Sequence, residues 1–482
     1  MDRFNIIFVA SEVVPYAKTG GLADVAGALP KELANFGHKV SVVMPRYRQI
    51  QAGRLLFSDL HVPVDYTVKQ ARVFVDDSAI APVYFIDAPE YFHRDKLYDE
   101  PDDALRFALF GRAALELAKR LGECPSIVHC NDWMTGFIPL YLKRIYQREP
   151  FFADTSTLFT IHNLAFHGFF DAGWLPRLGL SYDVYATEGG IEFYGKASML
   201  KAGIVFSDMI STVSKRYAQE IQTEEYGFKL EGLLRSRSDC LVGILNGVDY
   251  DEWSPQTDRF IAARYGPENL EGKRACKADL LRYFGLPEEA GRPIVGSISR
   301  LTDQKGFDLI MEIAGRMMEA GIYFVLLGSG DKKYESFFQA LKDRYSNYVG
   351  VYIGFNNELA HKIEAGADMF LMPSRFEPCG LNQIYSLKYG TVPIVRGTGG
   401  LDDTIQNFDR LTRQGNGFKF YQYSAEKLLE KVYEALLLYK AEPDLWRALM
   451  LNGMREDFSW SASARQYVQL YRQMARRAIA AD

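Results

Sequence analysis

The chain has 482 residues, enough for two large α/β domains or about three of ordinary size. Hydrophobic residues make up 48% and charged residues 24%, a globular composition that excludes a fibrous or disordered chain. The formal net charge is −5, from 56 basic and 61 acidic residues without basic runs, which argues against nucleic acid or an anionic membrane as the main partner.

From the N-terminus, the apolar run Ile6–Ala10 has only five residues before Ser11 and Glu12, too short for a signal-peptide core or a membrane span. A cytoplasmic protein is expected, and five cysteines (Cys124, Cys130, Cys240, Cys276, Cys379) without a close CxxC pair fit a reducing compartment. Short runs rich in Val, Ile and Phe predict buried parallel strands at 6–10, 40–44, 83–86, 127–130 and 157–161, with a helix over 104–121. Residues 50–105 read as loops or hairpins inserted among them. A second series of strands is predicted at 293–299, 323–328, 349–354, 369–373 and 392–395, with helices over 307–320 and 381–389. Two doubly wound α/β domains explain this better than one sheet of ten or more strands. The polar stretch Asn246–Asp258 is the expected hinge, dividing the chain into domains 1–245 and 246–482.

One motif occurs once in each half: Thr19-Gly20-Gly21-Leu22-Ala23-Asp24 and Thr398-Gly399-Gly400-Leu401-Asp402-Asp403. Each is expected to follow a strand and open a helix, where paired glycines admit a ligand to backbone N–H groups without a metal. On matching edges of two domains the copies would face each other across a cleft. Arg300 and Lys305 are placed at a predicted strand's carboxyl end and at the turn into the next helix, a fork and a point charge able to grip a diphosphate. Lys18, before the first glycine pair, adds a third cation. Glu377, in Ser374-Arg375-Phe376-Glu377-Pro378-Cys379-Gly380, is a carboxylate at a predicted helix start, either a hydroxyl-binding group or a helix-cap acid. His162 and Asn163, and Asn131 and Asp132, end strands in polar groups. His162 and His167 lack HExxH spacing, and Asp249-Tyr250-Asp251 is a turn, so no metal site is expected.

Taken together, K-T-G-G-L-A-D (18–24), S-R-L-x-x-Q-K-G (299–306), S-R-F-E-P-C-G-L (374–381) and T-G-G-L-x-D-T (398–404) resemble the bacterial glycogen synthases and plant starch synthases. The resemblance implies a GT-B fold, two Rossmann-like domains facing across a cleft, with a terminal helix at about 461–477 crossing back to the first domain. It implies transfer of glucose from ADP-glucose to the non-reducing end of an α-1,4-glucan with retention, without metal or cofactor. Arg300, Lys305 and Lys18 would then stabilise the leaving diphosphate with N–H groups of Gly20, Gly21, Gly399 and Gly400. Glu377 and the amides near Cys379 and Gly380 would bind the sugar, and His162 would lie near it. Asp132 and Asn163 would shape the sugar region, and Phe355 would stand beside the adenine. Thr398 and Asp24 belong to the same motifs, although an acid in a helix's first turn suffices to explain Asp24. Tyr91, Arg94 and Tyr98 are candidates for the glucan path. A UDP-glucose enzyme and a binding protein without catalysis remain as alternatives, whereas neither Gly328-Ser329-Gly330 nor Gly397-Thr398-Gly399 completes a dinucleotide fingerprint.

Overall fold

A computed structural model describes residues 3–481 and divides into two compact units. The first runs to Val213 and adds Ala218–Gly247 and the segment from Trp460 onward; the second comprises Ser214–Tyr217 and Val248–Ser459. The chain therefore leaves the first unit at Gly247, within the polar stretch 246–258.

The main sheet of the first unit has nine strands: β1 (Asn5–Val9), β2 (Lys39–Pro45), β3 (Arg54–Val64), β4 (Thr67–Asp76), β5 (Val83–Asp87), β6 (Ile127–Asn131), β7 (Ser156–Ile161), β8 (Met209–Thr212) and β9 (Leu241–Gly243). Their order is β9-β8-β7-β6-β1-β2-β5-β4-β3. The apolar runs of β1, β2, β6 and β7 are almost wholly buried, because parallel strands carry crossover helices on both faces. The inserted region forms the antiparallel pair β3–β4, which widens the sheet at one edge and alternates buried with exposed residues. Its two-residue turn, Asp65-Tyr66, has φ of 56° and 59°, the left-handed pair that matches the twist of a tight hairpin.

The second unit carries β10 (Ile294–Ile298), β11 (Tyr323–Gly328), β12 (Val349–Ile353), β13 (Met369–Met372), β14 (Val392–Arg396) and β15 (Phe418–Phe420), all parallel, in the order β12-β11-β10-β13-β14-β15. This is the doubly wound order in which the chain works outward from the first strand, then returns to its other side. Where the direction reverses, adjacent crossovers diverge and leave a crevice at the carboxyl ends. The reversal lies between β10 and β13 here and between β1 and β6 in the first unit.

The helix Trp460–Ala481 packs against the helix Gly21–Asn35 and against β7. Tyr471 on that helix is fully buried, and its hydroxyl meets His129 Nδ1 at 2.8 Å, while His129 Nε2 meets Thr160 Oγ1 at 2.6 Å. Burial holds the His129 ring well below its usual pKa, so it is neutral and needs both partners. Tyr471→Phe leaves one buried ring nitrogen unpaired, and denaturant unfolding is expected to show a loss of about 1–3 kcal/mol; unchanged stability would show that the hydroxyl contributes nothing.

Candidate functional site

The crevice of the second unit is lined by the segments that follow β10, β13 and β14. The first two are sewn together by backbone: Arg375 N–H donates to Gln304 O at 2.8 Å, and the Gln304 amide donates to Phe376 O at 3.3 Å. Asn382 Nδ2 ties the next helix to Ile298 O at 2.8 Å, and Arg396 at the end of β14 donates to Arg375 O at 2.6 Å. These bonds bring Lys305 Nζ within 2.6 Å of Glu377 Oε2, an oxygen that also accepts from Ser374 Oγ at 3.1 Å. Both ions are largely withdrawn from water, with side-chain exposures of 17% and 8%. Arg300, just beyond β10, is exposed, and its guanidinium has no hydrogen-bond or ion-pair partner among the described residues. The three groups leave one net positive charge at the crevice. Phe355, two residues beyond β12 on the same sheet edge, is 90% exposed, a free aromatic face for a planar ligand.

The two glycine motifs differ in their mechanical reason. In the second, Gly399 has φ +47°, and a Cβ there would stand 1.9 Å from Glu377 O; at Gly400 it would stand 1.9 Å from Cys379 O. Those glycines let the Thr398 turn press against the backbone that carries Glu377. The expectation of a ready N–H at Gly400 is corrected: that N–H already donates to Glu377 O at 3.1 Å and Pro378 O at 3.2 Å. Thr398 and Cys379 are buried in the same contact, and Gly380, at φ +71°, turns the chain into the helix Asn382–Lys388.

In the first unit the chain takes eleven residues after β1 to reach the helix Gly21–Asn35 at Gly21. Gly20 is extended at φ −150°, and a Cβ at Gly20 or Gly21 would meet nothing within 4 Å. Neither strain nor packing within the unit demands glycine there. The loop is held by Glu12, a buried carboxylate accepting from the Thr19 N–H, from Thr19 Oγ1 at 2.6 Å, from the Gly20 N–H at 3.2 Å and from Tyr98 Oη at 2.5 Å. Lys18 projects from it and pairs with Asp24 at 2.7 Å, a contact with 55% and 28% side-chain exposure that a ligand can replace at little cost.

Asp132, which follows β6, has φ 56° and ψ −179°, a conformation that side chains other than glycine's avoid at a cost of about 1–3 kcal/mol. The strain aims its carboxylate at the His162 N–H, 2.7 Å away beyond β7. Asn131 Nδ2 donates to Val9 O at 3.0 Å across the reversal point, so its Oδ1 faces His162 Nε2 at 2.9 Å. His162 must therefore carry its proton on Nε2 and keep the Nδ1 lone pair as an acceptor. Burial pushes the imidazole down to about 3 and the Asp132 carboxyl up to about 7, so His162 is neutral at physiological pH. Asn163 turns its Oδ1 onto the Ala165 N–H at 3.0 Å.

The sequence-based candidates thus collect at the carboxyl edges of the two sheets, at or beside the reversal points, with exceptions. Tyr91 is buried in the core, and Arg94 is paired with Asp102 at 2.9 Å, so neither presents a free face to a glucan; Tyr98 serves Glu12. Sequence reasoning passed over Glu12, Gln304, Asn382 and Arg396. The signal for Glu12 was present, a carboxylate directly after a buried strand. The others act through backbone bonds that no spacing announces. The described residues include no cluster of three or more metal-ligating side chains and no helix long and apolar enough to cross a membrane.

Comparison with known proteins places residues 5–236 on the starch synthase catalytic domain and residues 284–446 on the group 1 glycosyl transferases. The glycogen synthase of Koribacter versatilis is 52% identical over 476 residues, 97% of each chain, and that of Moorella thermoacetica 49% identical over 472 residues, 97% of this chain and 96% of the other. Among solved structures, the catalytic domain of starch synthase IV from Arabidopsis thaliana, bound to ADP and acarbose, matches with a TM-score of 0.91 and 34% identity over 98% of this chain and 100% of that one. The sucrose-phosphate synthase of Thermosynechococcus elongatus, at 19% identity and a TM-score of 0.61 over the full length of both, shares the fold.

The glycine contrast is testable: Gly400→Ala is expected to cost more than about 2 kcal/mol in denaturant unfolding, and Gly20→Ala less than about 0.5. Equal costs would show that packing constrains Gly20 as it does Gly400. A second expectation concerns pH. Asp132, raised in the folded state, holds a proton between about pH 4 and 7 that the unfolded chain releases, so its contribution weakens stability as pH rises through that window. His162, depressed, refuses between about pH 3 and 6.5 a proton that the unfolded chain takes, so its contribution strengthens stability as pH rises. The two oppose one another. Asp132→Asn leaves the His162 trend uncompensated, and the stability of the variant relative to the parent should climb from pH 4 to 7 by at most about 1.4 kcal/mol per unit; parallel pH profiles would contradict the shift.

Proposed function

Because the chain belongs to the family of glycogen and starch synthases, we propose that it transfers glucose from ADP-glucose to the non-reducing end of an α-1,4-glucan with retention at the anomeric carbon. The observation that carries the reading is the crevice of the second unit, where a paired Lys305, an unpartnered Arg300 and an exposed Phe355 stand along one sheet edge. That set suits a nucleoside diphosphate: Arg300 and Lys305 for the phosphates, Phe355 against the adenine. The bound ADP of the Arabidopsis relative supports the same nucleotide.

In this reading the bond from the anomeric carbon to the diphosphate breaks, the charge growing on the departing oxygen is met by Arg300 and Lys305, and the sugar acquires oxocarbenium character. The acceptor O4 attacks from the face the diphosphate leaves, and its proton passes to the departing phosphate. Glu377 is assigned to the sugar hydroxyls with the Cys379 and Gly380 amides, not to nucleophilic attack. A carboxylate whose Oε2 already accepts from Lys305 and Ser374 has its lone pairs engaged and is a poor nucleophile. The neutral His162, with Asp132 and Asn163, is assigned to the sugars as hydrogen-bonding groups, and Lys18, Gly20, Gly21 and Asp24 to the loop that closes on substrate. Thr398 and Gly399 support the backbone of Glu377. No metal ion or cofactor is invoked, and a cytoplasmic location follows the same reading.

The test is transfer of radiolabelled glucose to glycogen from ADP-glucose and UDP-glucose in parallel, with EDTA. Transfer from ADP-glucose alone is expected. Transfer from UDP-glucose alone would overturn the base assignment, and none from either would leave a binding protein. Lys305→Ala is expected to lower turnover at least 100-fold, or about 3 kcal/mol, by exposing the diphosphate charge and unpairing Glu377; a near-normal rate would remove Lys305 from that role.

A further inference from the structure

Between Glu377 and the helix Asn382–Lys388 the backbone is held by its carbonyls, all from the side of the helix Gly399–Thr404. The Gly400 N–H donates to Glu377 O at 3.1 Å and to Pro378 O at 3.2 Å. Gln383 Nε2 donates to the next two, Cys379 O at 3.1 Å and Gly380 O at 3.0 Å. A trans peptide holds its C=O and its N–H on opposite sides of one plane. Fixing the Cys379 carbonyl therefore turns the Gly380 N–H away from Gln383, and fixing the Gly380 carbonyl does the same for the Leu381 N–H. Neither N–H has an acceptor among the described residues.

Gln383 is fully buried, and its surroundings call for a donor. Thr404 Oγ1 donates to Gly400 O at 2.7 Å, so toward Gln383 Nε2, 3.3 Å away, it can only accept. Three acceptors thus converge on a nitrogen with two N–H bonds, and a group carrying a lone pair would be repelled there. The other branch of the amide gains nothing: Oε1 is buried without a hydrogen-bond partner among the described residues. That orphan carries a desolvation cost which an aliphatic side chain of the same length would avoid. Oε1 also presses on residue 380, where a Cβ would stand 2.5 Å from it and where φ is +71°. Glycine admits the amide, and the amide holds the two peptides that flank the glycine.

We propose that Gln383 is a positioning residue for glucose transfer, holding the Gly380 and Leu381 N–H groups toward the donor sugar. This rests on the assignment of that sugar to Glu377 and the neighbouring amides. Gln383 touches no substrate itself. Its bonds set in advance the direction of N–H dipoles that must stand in place while the glycosidic bond breaks, and preorganised donors need no rearrangement at that moment. Without the amide, two buried carbonyls lose their partner, and each peptide gains by rotating toward another donor, which carries its N–H off the sugar. Arg300, Lys305 and Phe355, assigned to the nucleotide, lie on segments to which the Gln383 side chain makes no hydrogen bond.

The experiment compares the full-length protein with Gln383→Met, which keeps the side-chain length and removes the donor, and Gln383→Glu, which keeps the shape and donates only while protonated. Glucose transfer from ADP-glucose to glycogen gives kcat and KM, and inhibition by ADP reports the nucleotide site separately. Gln383→Met is expected to lower kcat about 10-fold or more, with the ADP inhibition constant within about 2-fold of the parent's. A carboxyl enclosed by carbonyl oxygens takes up a proton and donates again, so at about pH 6 Gln383→Glu is expected to exceed Gln383→Met about 3-fold or more, both taken relative to the parent at that pH. A loss of packing alone would not return with the proton. Parent-like kcat in Gln383→Met would overturn the proposal, as would an ADP affinity that falls as far as kcat, or a Gln383→Glu variant no more active than Gln383→Met at the acid end. Failure of the parent itself to transfer glucose would instead overturn the proposed function.

Discussion

Parallel strands deliver all their carboxyl ends to one edge of a sheet, and the connections that follow must leave to one side or the other. Where neighbouring strands send their chains in opposite directions, the backbone parts and leaves polar groups uncovered. That constraint determines the location of the charged groups assigned to chemistry, whereas His162, Phe355 and Thr398 follow neighbouring strands on the same edges. In the second unit Arg300 and Lys305 follow one of the two diverging strands, and Ser374 and Glu377 follow the other. In the first, Glu12 and the Lys18 loop follow β1, and Asp132 follows β6.

The ion pair of Lys305 and Glu377 shows how such a crevice is kept in working order. A lone carboxylate or ammonium at that depth would lack hydrogen-bond partners for what water supplied; Lys305, Glu377 and Ser374 supply them to one another. The backbone bonds among Gln304, Arg375 and Phe376 set the separation of the two loops, and the close approach at Gly399 and Gly400 backs the Glu377 peptide from the third strand. The first unit reaches a comparable end by neutral means. Asp132 is strained and His162 is desolvated, yet the hydrogen bonds that the His162 ring donates to Asn131 Oδ1 and the His162 backbone N–H donates to Asp132 satisfy the buried groups without a formal ion pair.

The twin glycine motifs illustrate how identical sequence can serve different physics. Both read TGGLxD, both open a helix, and from spacing alone they were interchangeable. Packing separates them: at Gly399 and Gly400 the neighbouring backbone leaves no room for a Cβ, whereas at Gly20 and Gly21 nothing of the chain itself intervenes. Similarly, tyrosines 91 and 98 looked alike as exposed aromatics of an insertion. One was drawn into the core and the other onto Glu12, while Tyr194, which no motif marked, emerged at the surface.

The sequence by itself determined the buried inner strands, the doubly wound class and the four motifs, because buried parallel strands need continuous apolar runs and strand-end chemistry needs particular residues within a few positions of one another; the outer strands at 54–64, 67–76, 209–212, 241–243 and 418–420 carried no such run. It also carried Arg300, Lys305, Glu377 and His162 as candidates. Only the tertiary structure decided which groups are already engaged: the Gly400 N–H by Glu377 and Pro378, the Lys18 ammonium by Asp24, the Thr19 and Gly20 N–H groups by Glu12. It alone assigned the His162 tautomer, the strain at Asp132 and the hold of Gln383 on the Cys379 and Gly380 carbonyls. Those properties depend on partners up to 122 residues away along the chain, as for Asn131 and Val9, and a linear pattern holds no record of which distant backbone a side chain will meet.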